Sequence, residues 1–332
     1  MPLTTSAPDE DRLRQASVAL ALEGVATRVV TAMGRAGLRT ILLKGPALAD
    51  WLYPDGERRY SDVDLLIRLR QWDAAEAVLE GLGFQHVAID VLPHDRPHHA
   101  RTWLAPRGAA VDLHHSLVGV GASSETVWDL LAAQTDRLDL GDSQIEIPSV
   151  PGRAIVVALH AAQHGVGGEG PLEDLRRVLD RLSLGEWRAV RQLAEQLEAM
   201  PALAAGLRLV PGGREVAAEL ELPETSSVET LLRSTSAPTM SLGFDWLSRT
   251  QGFRARARFV ARKVAPQPAF MRAWTPLARR GRSGLAAAYL WRVVWLGFRA
   301  GPAYVAWRKA ARAARRPQDN SSKSDVGQQR RG

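Results

Sequence analysis

The sequence predicts an α+β fold in which short strands and helices come first and a helical half follows. Two observations carry this. Leu38 to Leu43 and Val63 to Ile67 are short apolar runs, rich in Leu and Ile, with the look of buried strands. From Pro151 to about Leu247, apolar residues instead recur at helical spacing. Taken in order, Arg12 to Met33 reads as an amphipathic helix with Leu13, Leu20, Val25, Val29 and Met33 among its apolar positions. Pro46 starts a helix after the first strand, and Trp72 to Leu82 forms another, closed by Gly83. Phe84 to Val91 and Ala100 to Ala105 read as strands, and Arg107-Gly108 turns into a strand around Asp112. Two helices and the strands Arg137 to Leu140 and Gln144 to Ile147 complete this first part near Ser149.

In the helical half, Ile155, Val156, Leu159 and Ala162 mark one helix, and Leu172, Leu175, Val178, Leu179 and Leu182 the next. Trp187 to Met200 is a third, stopped by Pro201. The expected organisation is a disordered N-terminus at 1–11, a first domain at 12–149 and a helical domain at 150–247. A basic, aromatic-rich helical region at 248–314 and a polar, disordered tail at 315–332 follow.

Composition sets outer limits. At 332 residues, 45% hydrophobic and 24% charged, the chain is long enough for two domains. It has no cysteine, which excludes disulfides, cysteine-based zinc sites and thiol catalysis. No uncharged apolar run of about eighteen residues occurs, so no membrane-spanning helix is expected. The first residues have neither a basic nor an apolar leader region, and a cytoplasmic location is the expectation.

The chemistry-bearing residues cluster between Leu38 and His114. Lys44-Gly45 ends the first strand, Arg59-Tyr60-Ser61-Asp62-Val63-Asp64 leads into the second, and Asp112 and His114 lie on a third. Asp62 and Asp64 are two apart, so on a strand both carboxylates leave the same face. Like charges held that close repel unless a cation or proton lies between them. Oxygen-only ligands favour Mg²⁺ or Mn²⁺ over zinc, and three strand-borne aspartates suit phosphoryl chemistry.

This segment resembles the catalytic core of the DNA polymerase β-type nucleotidyltransferase superfamily. It is most similar to bacterial nucleotidyltransferase-like proteins with a Leu-Lys-Gly, Arg-x-x-Asp-x-Asp-Leu-Leu and Val-Asp-Leu-His pattern. The resemblance implies a small mixed sheet with flanking helices, followed by a helical domain lining the nucleotide or acceptor pocket. It makes Asp62 and Asp64 metal ligands and Asp112 the third carboxylate, binding the metal or taking the proton of an acceptor hydroxyl. Gly45 would open a helix whose N-terminus faces the triphosphate. Lys44 and Arg59 would hold phosphate, with Ser61 and His114 also at the nucleotide. The implied cofactor is Mg²⁺ or Mn²⁺. The implied partners are an NTP and a hydroxyl acceptor, which is a small molecule, a peptide or RNA. In two respects the chain departs from the superfamily: Pro46 stands where a hydroxyl or second glycine is usual, and the interval from Gly45 to Asp62 is long.

The reading is thus a metal-dependent transfer of an NMP group from NTP to an acceptor hydroxyl, with pyrophosphate released. Asp64→Asn is expected to leave folding intact and abolish transfer. The alternatives are a non-catalytic nucleotide- or RNA-binding module and a toxin-like enzyme that modifies transfer RNA. His160 and His164, at i and i+4 with Asp174 on the following helix, could face zinc, but no third ligand is evident; they read as pocket-lining or inter-helix groups.

The C-terminal part is lopsided in charge. From Trp246 to Gln318 there is no Asp or Glu, while Arg and Lys recur from Arg249 to Arg316 with aromatics between them. Three readings stay open: a nucleic-acid surface, an anionic membrane surface along Leu285 to Trp307, or an aromatic helical core dressed with solvated arginines. For the membrane reading, Arg292 and Arg299 are seven apart and share a helix face. Gly281, Gly284, Gly297 and Gly301-Pro302 predict short helices here.

Overall fold

The structure is a computed structural model that describes residues 7–54, 58–86, 99–106, 108–224, 227–235 and 237–314, with side chains described from residue 13 onward except at Ala273. The expected disordered tail at 315–332, the far end of the Phe84 to Val91 strand and Arg107 lie outside the described residues. The described chain divides into two compact units, Met1–Leu222 and Pro223–Gly332.

The first unit begins with α1 (Ala7–Arg35), which starts ahead of the expected Arg12. Its stretch Leu13–Arg35 is long and apolar enough to cross a membrane by length and composition, where no such helix is expected from the sequence. The stripe that packs is Leu22, Ala26, Val29 and Met33; Leu13 and Leu20, expected to face inward, are exposed. After β1 (Ile41–Leu42) comes α2 (Pro46–Leu52), then β2 (Asp62–Leu66) and α3 (Trp72–Gly81). Gly83, at φ +83°, lets the chain leave α3 in the left-handed region that glycine adopts cheaply. The strands β3 (Gln85–His86), β4 (Ala100–Leu104) and β5 (Ala110–His114) follow.

These five strands form a mixed sheet in the order β1-β2-β5-β4-β3. Only the central pair is parallel: β2 lies beside β5 with Val63 opposite Val111, Asp64 opposite Asp112 and Leu65 opposite Leu113. The pleat then sorts the side chains by parity. Val63, Leu65, Val111 and Leu113 enter one core with Val29 and Met33 of α1 and Leu79 of α3. Asp62, Asp64, Asp112 and His114 are on the opposite parity, where Leu66 enters a second core.

Between β5 and the next strand the described chain has a single α-helix, α4 (Ser124–Ala133), where two were expected. Residues 115–123 lack helical periodicity and form turns instead, up to the Ser123 side chain that caps α4. A hairpin of β6 (Thr135–Leu140) and β7 (Ser143–Pro148) then leads into α5 (Val150–His164). The helix α5 is nearly all apolar and buried from Gly152 to Leu159, so it is packed on all sides. Around it stand α6 (Glu169–Arg181), α7 (Leu184–Gln196), α8 (Met200–Leu207) and α9 (Pro211–Glu219). The expected stop at Pro201 is instead the start of α8: proline in the first turn loses no helical hydrogen bond, because that N–H would be unpaired anyway. At α5 and α8 the backbones meet closely, since a Cβ on Gly206 would fall 2.2 Å from the Ala158 carbonyl oxygen.

The second unit consists of α10 (Val228–Ser234), α11 (Met240–Arg249), α12 (Phe253–Val264), α13 (Pro268–Trp274) and α14 (Gly281–Ala314). The short helices expected from the glycines and Pro302 are one helix of 34 residues, with Pro302 inside it. Packing overrides the breakers. Gly284 lets the start of α14 approach the Leu277 carbonyl, which a Cβ would meet at 2.4 Å. Beyond Pro302, Ala310 is buried with Leu232 and Leu242 and holds the last turns in place. The aromatics divide: Phe270, Trp274 and Tyr289 pack around Met271, whereas Phe253, Trp291 and Phe298 are exposed.

Candidate active site

In the first unit a cleft of about 660 Å³, within the range that holds a nucleotide-sized ligand, opens over the polar parity of the sheet. Lys44, Gly45, Arg59, Ser61, Asp62, Asp64, Asp112 and His114 all line it. The structure therefore brings every residue singled out from the sequence to one place. Among them, ligand atoms of Asp64, Asp112 and His114 lie within 4.8 Å of one another. The parallel register explains this, because Asp64 and Asp112 are direct neighbours and His114 is the next residue of that parity on β5.

Asp64 is the buried centre. Its Oδ1 accepts from the Lys44 ammonium at 2.8 Å and lies 3.0 Å from His114 Nε2. Burial alone would raise this carboxyl, but Lys44 and His114 outweigh it and hold the group well below the usual carboxylate range. Asp62 shifts the other way: burial and the neighbouring Asp64 charge push its carboxyl up, against a smaller pull from Lys44. The two carboxylates of the Asp-x-Asp pair are thus split, one firmly ionised and one reluctant.

The donor set can be tested against a divalent cation. Two carboxylates and one imidazole within reach of one centre suit a hard or borderline ion. His114 Nδ1 is buried without a hydrogen-bond partner among the described residues, so the imidazole has an unused ring nitrogen. The residues fit a metal, and Lys44 would compete with it for Asp64.

The start of α2 is less well supplied with free donors than the sequence suggests. Pro46 has no N–H, while the Ala47 and Leu48 N–H groups already bond the carbonyls of Lys44 and Gly45. Gly45 itself is at φ +63° and ψ −120°, and a Cβ there would sit 3.4 Å from the Asp62 carbonyl oxygen. Gly45→Ala is expected to destabilise the protein by about 1–3 kcal/mol, the usual cost of such backbone strain, measurable by thermal denaturation.

The sequence reading missed Arg58 and Tyr53. Arg58 makes a forked pair with the buried Asp174, Nε to Oδ1 at 3.0 Å and Nη2 to Oδ2 at 2.8 Å. The Tyr53 hydroxyl donates to the same Oδ1 at 2.8 Å, and Arg58 Nη1 reaches the Gly45 carbonyl at 3.4 Å. Burial opposes the charge on Arg58, but Asp174 holds its guanidinium above the ordinary range. Arg58 stood beside Arg59 with nothing in the spacing to choose between them. Asp174 thereby gains a role as anchor of this clamp. His160 and His164 also face the cleft with ring centroids 4.5 Å apart. Burial, then the Lys44 charge, keeps His160 neutral by lowering it well below the usual histidine value.

Comparison with known proteins now bears on this geometry. The family model described as an uncharacterised nucleotidyltransferase matches residues 9–211, more than half of the chain. The chain belongs to this nucleotidyltransferase family. The match takes in β2, β5 and α2 to α8, so the cleft lies wholly within the family's extent. Two solved structures are similar to the nucleotidyltransferase. The antibiotic-resistance factor ANT(2'')-Ia shares 13% identity at a TM-score of 0.38, over 55% of this chain and 91% of that one. An antigenic nucleotidyltransferase-like protein from Paracoccidioides brasiliensis shares 17% identity at a TM-score of 0.36, over 57% and 92%. No curated protein matches the sequence.

Proposed function

We propose that this nucleotidyltransferase moves an NMP group from an NTP to an acceptor hydroxyl and releases pyrophosphate. The observation that carries the reading is the parallel register of Asp64 and Asp112, which sets two carboxylates and His114 within 4.8 Å at the floor of a cleft lined by Lys44, Arg58 and Arg59. The acceptor oxygen bonds to the α-phosphorus, the bond from that phosphorus to the bridging β-phosphate oxygen breaks, and pyrophosphate leaves with the electron pair. Asp112, the less buried of the two carboxylates, takes the hydroxyl proton. Lys44, Arg58 and Arg59 offer positive charge to the phosphates, of which Arg58 is rigidly held by Asp174. A divalent ion, Mg²⁺ or Mn²⁺, would be held by Asp64 and Asp112 with Asp62 and His114 beside it, and would supply charge neutralisation to the phosphate oxygens. His160, kept neutral, lines the cleft without adding charge to it.

The test uses α-labelled ATP, GTP, CTP and UTP with Mg²⁺ or Mn²⁺ and a cell extract separated into protein, RNA and small-molecule fractions. Label is expected in one fraction with wild type and not with Asp112→Asn. Failure of every nucleotide and metal to yield product, with metal-dependent nucleotide binding intact, would replace transfer by binding.

A further inference from the structure

The long C-terminal helix presents opposite faces of unlike character. Arg292, placed by the sequence on one helix face with Arg299, is buried, with its guanidinium 5.0 Å from the Phe270 ring centre and 5.1 Å from that of Trp274. Ala288, Ala303 and Ala310 share that packed side. On the other side Leu290, Val294, Phe298 and Val305 recur at helical spacing with 72%, 48%, 80% and 65% of their surface exposed. Gly297 and Gly301 fall within the same stripe, and nothing lies within 4 Å of a Cβ added at either. An apolar stripe of this length, about 22 Å at the helical rise, is not a scatter of single surface residues.

Exposed basic residues stand at both ends of the stripe: Arg279, Arg280 and Arg282 before it, Arg308, Lys309 and Arg312 after it. The helix α12 adds Arg254, Arg256 and Arg258, has no buried residue, and leaves Phe253 86% exposed. No Asp or Glu occurs from Trp246 to Gln318 to offset them.

From the apolar stripe and its basic ends we infer that α14 is a docking surface for an anionic phospholipid bilayer, lying in the plane of the interface. Its aliphatic and aromatic side chains enter the headgroup–acyl boundary, and the terminal arginines meet the lipid phosphates. Nucleic acid fits the charge but not the stripe, because Leu290, Val294 and Val305 give bases no ring to stack on. The neutral arithmetic of an ordinary surface helix fits neither.

The experiment is flotation of the full chain with vesicles of phosphatidylcholine alone or with added phosphatidylglycerol. Wild type is expected to float with the anionic vesicles, at least tenfold more than with neutral ones, and to be released as salt is raised. Leu290→Asp/Phe298→Asp changes two exposed positions and should keep the circular dichroism spectrum while losing tenfold or more of the association. Should that variant misfold, the salt series and the two lipid compositions on wild type decide the matter alone. Wild type that stays in solution with both vesicles, or floats equally with both, overturns the proposal. So does a variant that floats like wild type. Sedimentation without lipid showing a dimer that the same variant dissolves would also overturn it, assigning the stripe to a second copy of the chain. Retention of an RNA probe, lost in the variant while vesicles are ignored, would overturn it in favour of nucleic acid.

Discussion

Asp64→Asn is expected to reduce nucleotidyl transfer by on the order of a thousandfold, about 4 kcal/mol of transition-state stabilisation, the scale of losing a metal-binding carboxylate. The structure adds a second effect that the strand pattern alone did not suggest. Asp64 is 2% exposed and its partner Lys44 15%, so neutralising the carboxylate leaves a mostly enclosed ammonium without its ion-pair partner. Breaking a buried pair from one side costs about 3–5 kcal/mol. The variant is therefore expected to melt well below wild type as well as to lose activity, in place of the intact folding expected from the sequence. Two companions separate the effects. Asp112→Asn makes no such ion pair among the described residues, and should lose transfer with little change in Tm. Lys44→Met combined with Asp64→Asn should recover much of the stability and none of the activity. Wild-type turnover by Asp64→Asn would sink the assignment. The pH dependence has a definite sign. Because the folded carboxyl lies below its unfolded value of about 3.9, Asp64 contributes its full stabilisation above that value. That contribution is lost as pH falls through the lower folded value, whereas Asp64→Asn has no such group to titrate, so the Tm gap between wild type and Asp64→Asn should narrow in acid.

Much of the cleft was legible in the sequence because a strand has period two. Once Leu38 to Leu43 and Val63 to Ile67 were read as strands, the common face of Asp62 and Asp64 followed, and Asp112 and His114 obeyed the same rule. The parallel pairing that sets Asp64 against Asp112 was not readable, since register is a property of two strands and not of either. The clamp was hidden for a similar reason. Arg58 and Asp174 are 116 positions apart, and neither carries a local signal that the other is its partner. In the second unit local signals misled. Glycine and proline punctuate a helix only when tertiary contacts do not hold both sides of the break, and Gly284 and Ala310 hold them on α14. Arg292 shares a helix face with Arg299 in the sequence, but nothing local shows that the rings of Phe270 and Trp274 give it a buried place.

Arg58→Ala should be the most destabilising change outside the carboxylates. Its side chain is 10% exposed and that of Asp174 4%, and the pair is forked, which adds geometry to charge. Loss of the guanidinium leaves Asp174, among the described residues, with the Tyr53 hydroxyl as its hydrogen-bond donor, at a cost of about 3–5 kcal/mol, or roughly 10 °C in Tm for a unit of this size. The same clamp ties Tyr53 at the end of α2, the Gly45 carbonyl at its start and Asp174 on α6 to one point. Its removal should therefore also loosen the wall of the cleft and raise KM for the nucleotide. Arg58→Lys cannot reproduce the fork and should recover only part of the loss. Arg58→Met with Asp174→Leu removes both charges and should be more stable than either single change, because no unpaired charge is left buried. A double-mutant cycle on these two positions measures the coupling directly: about 3 kcal/mol is expected, and a value near zero would reduce Arg58 to an ordinary surface arginine.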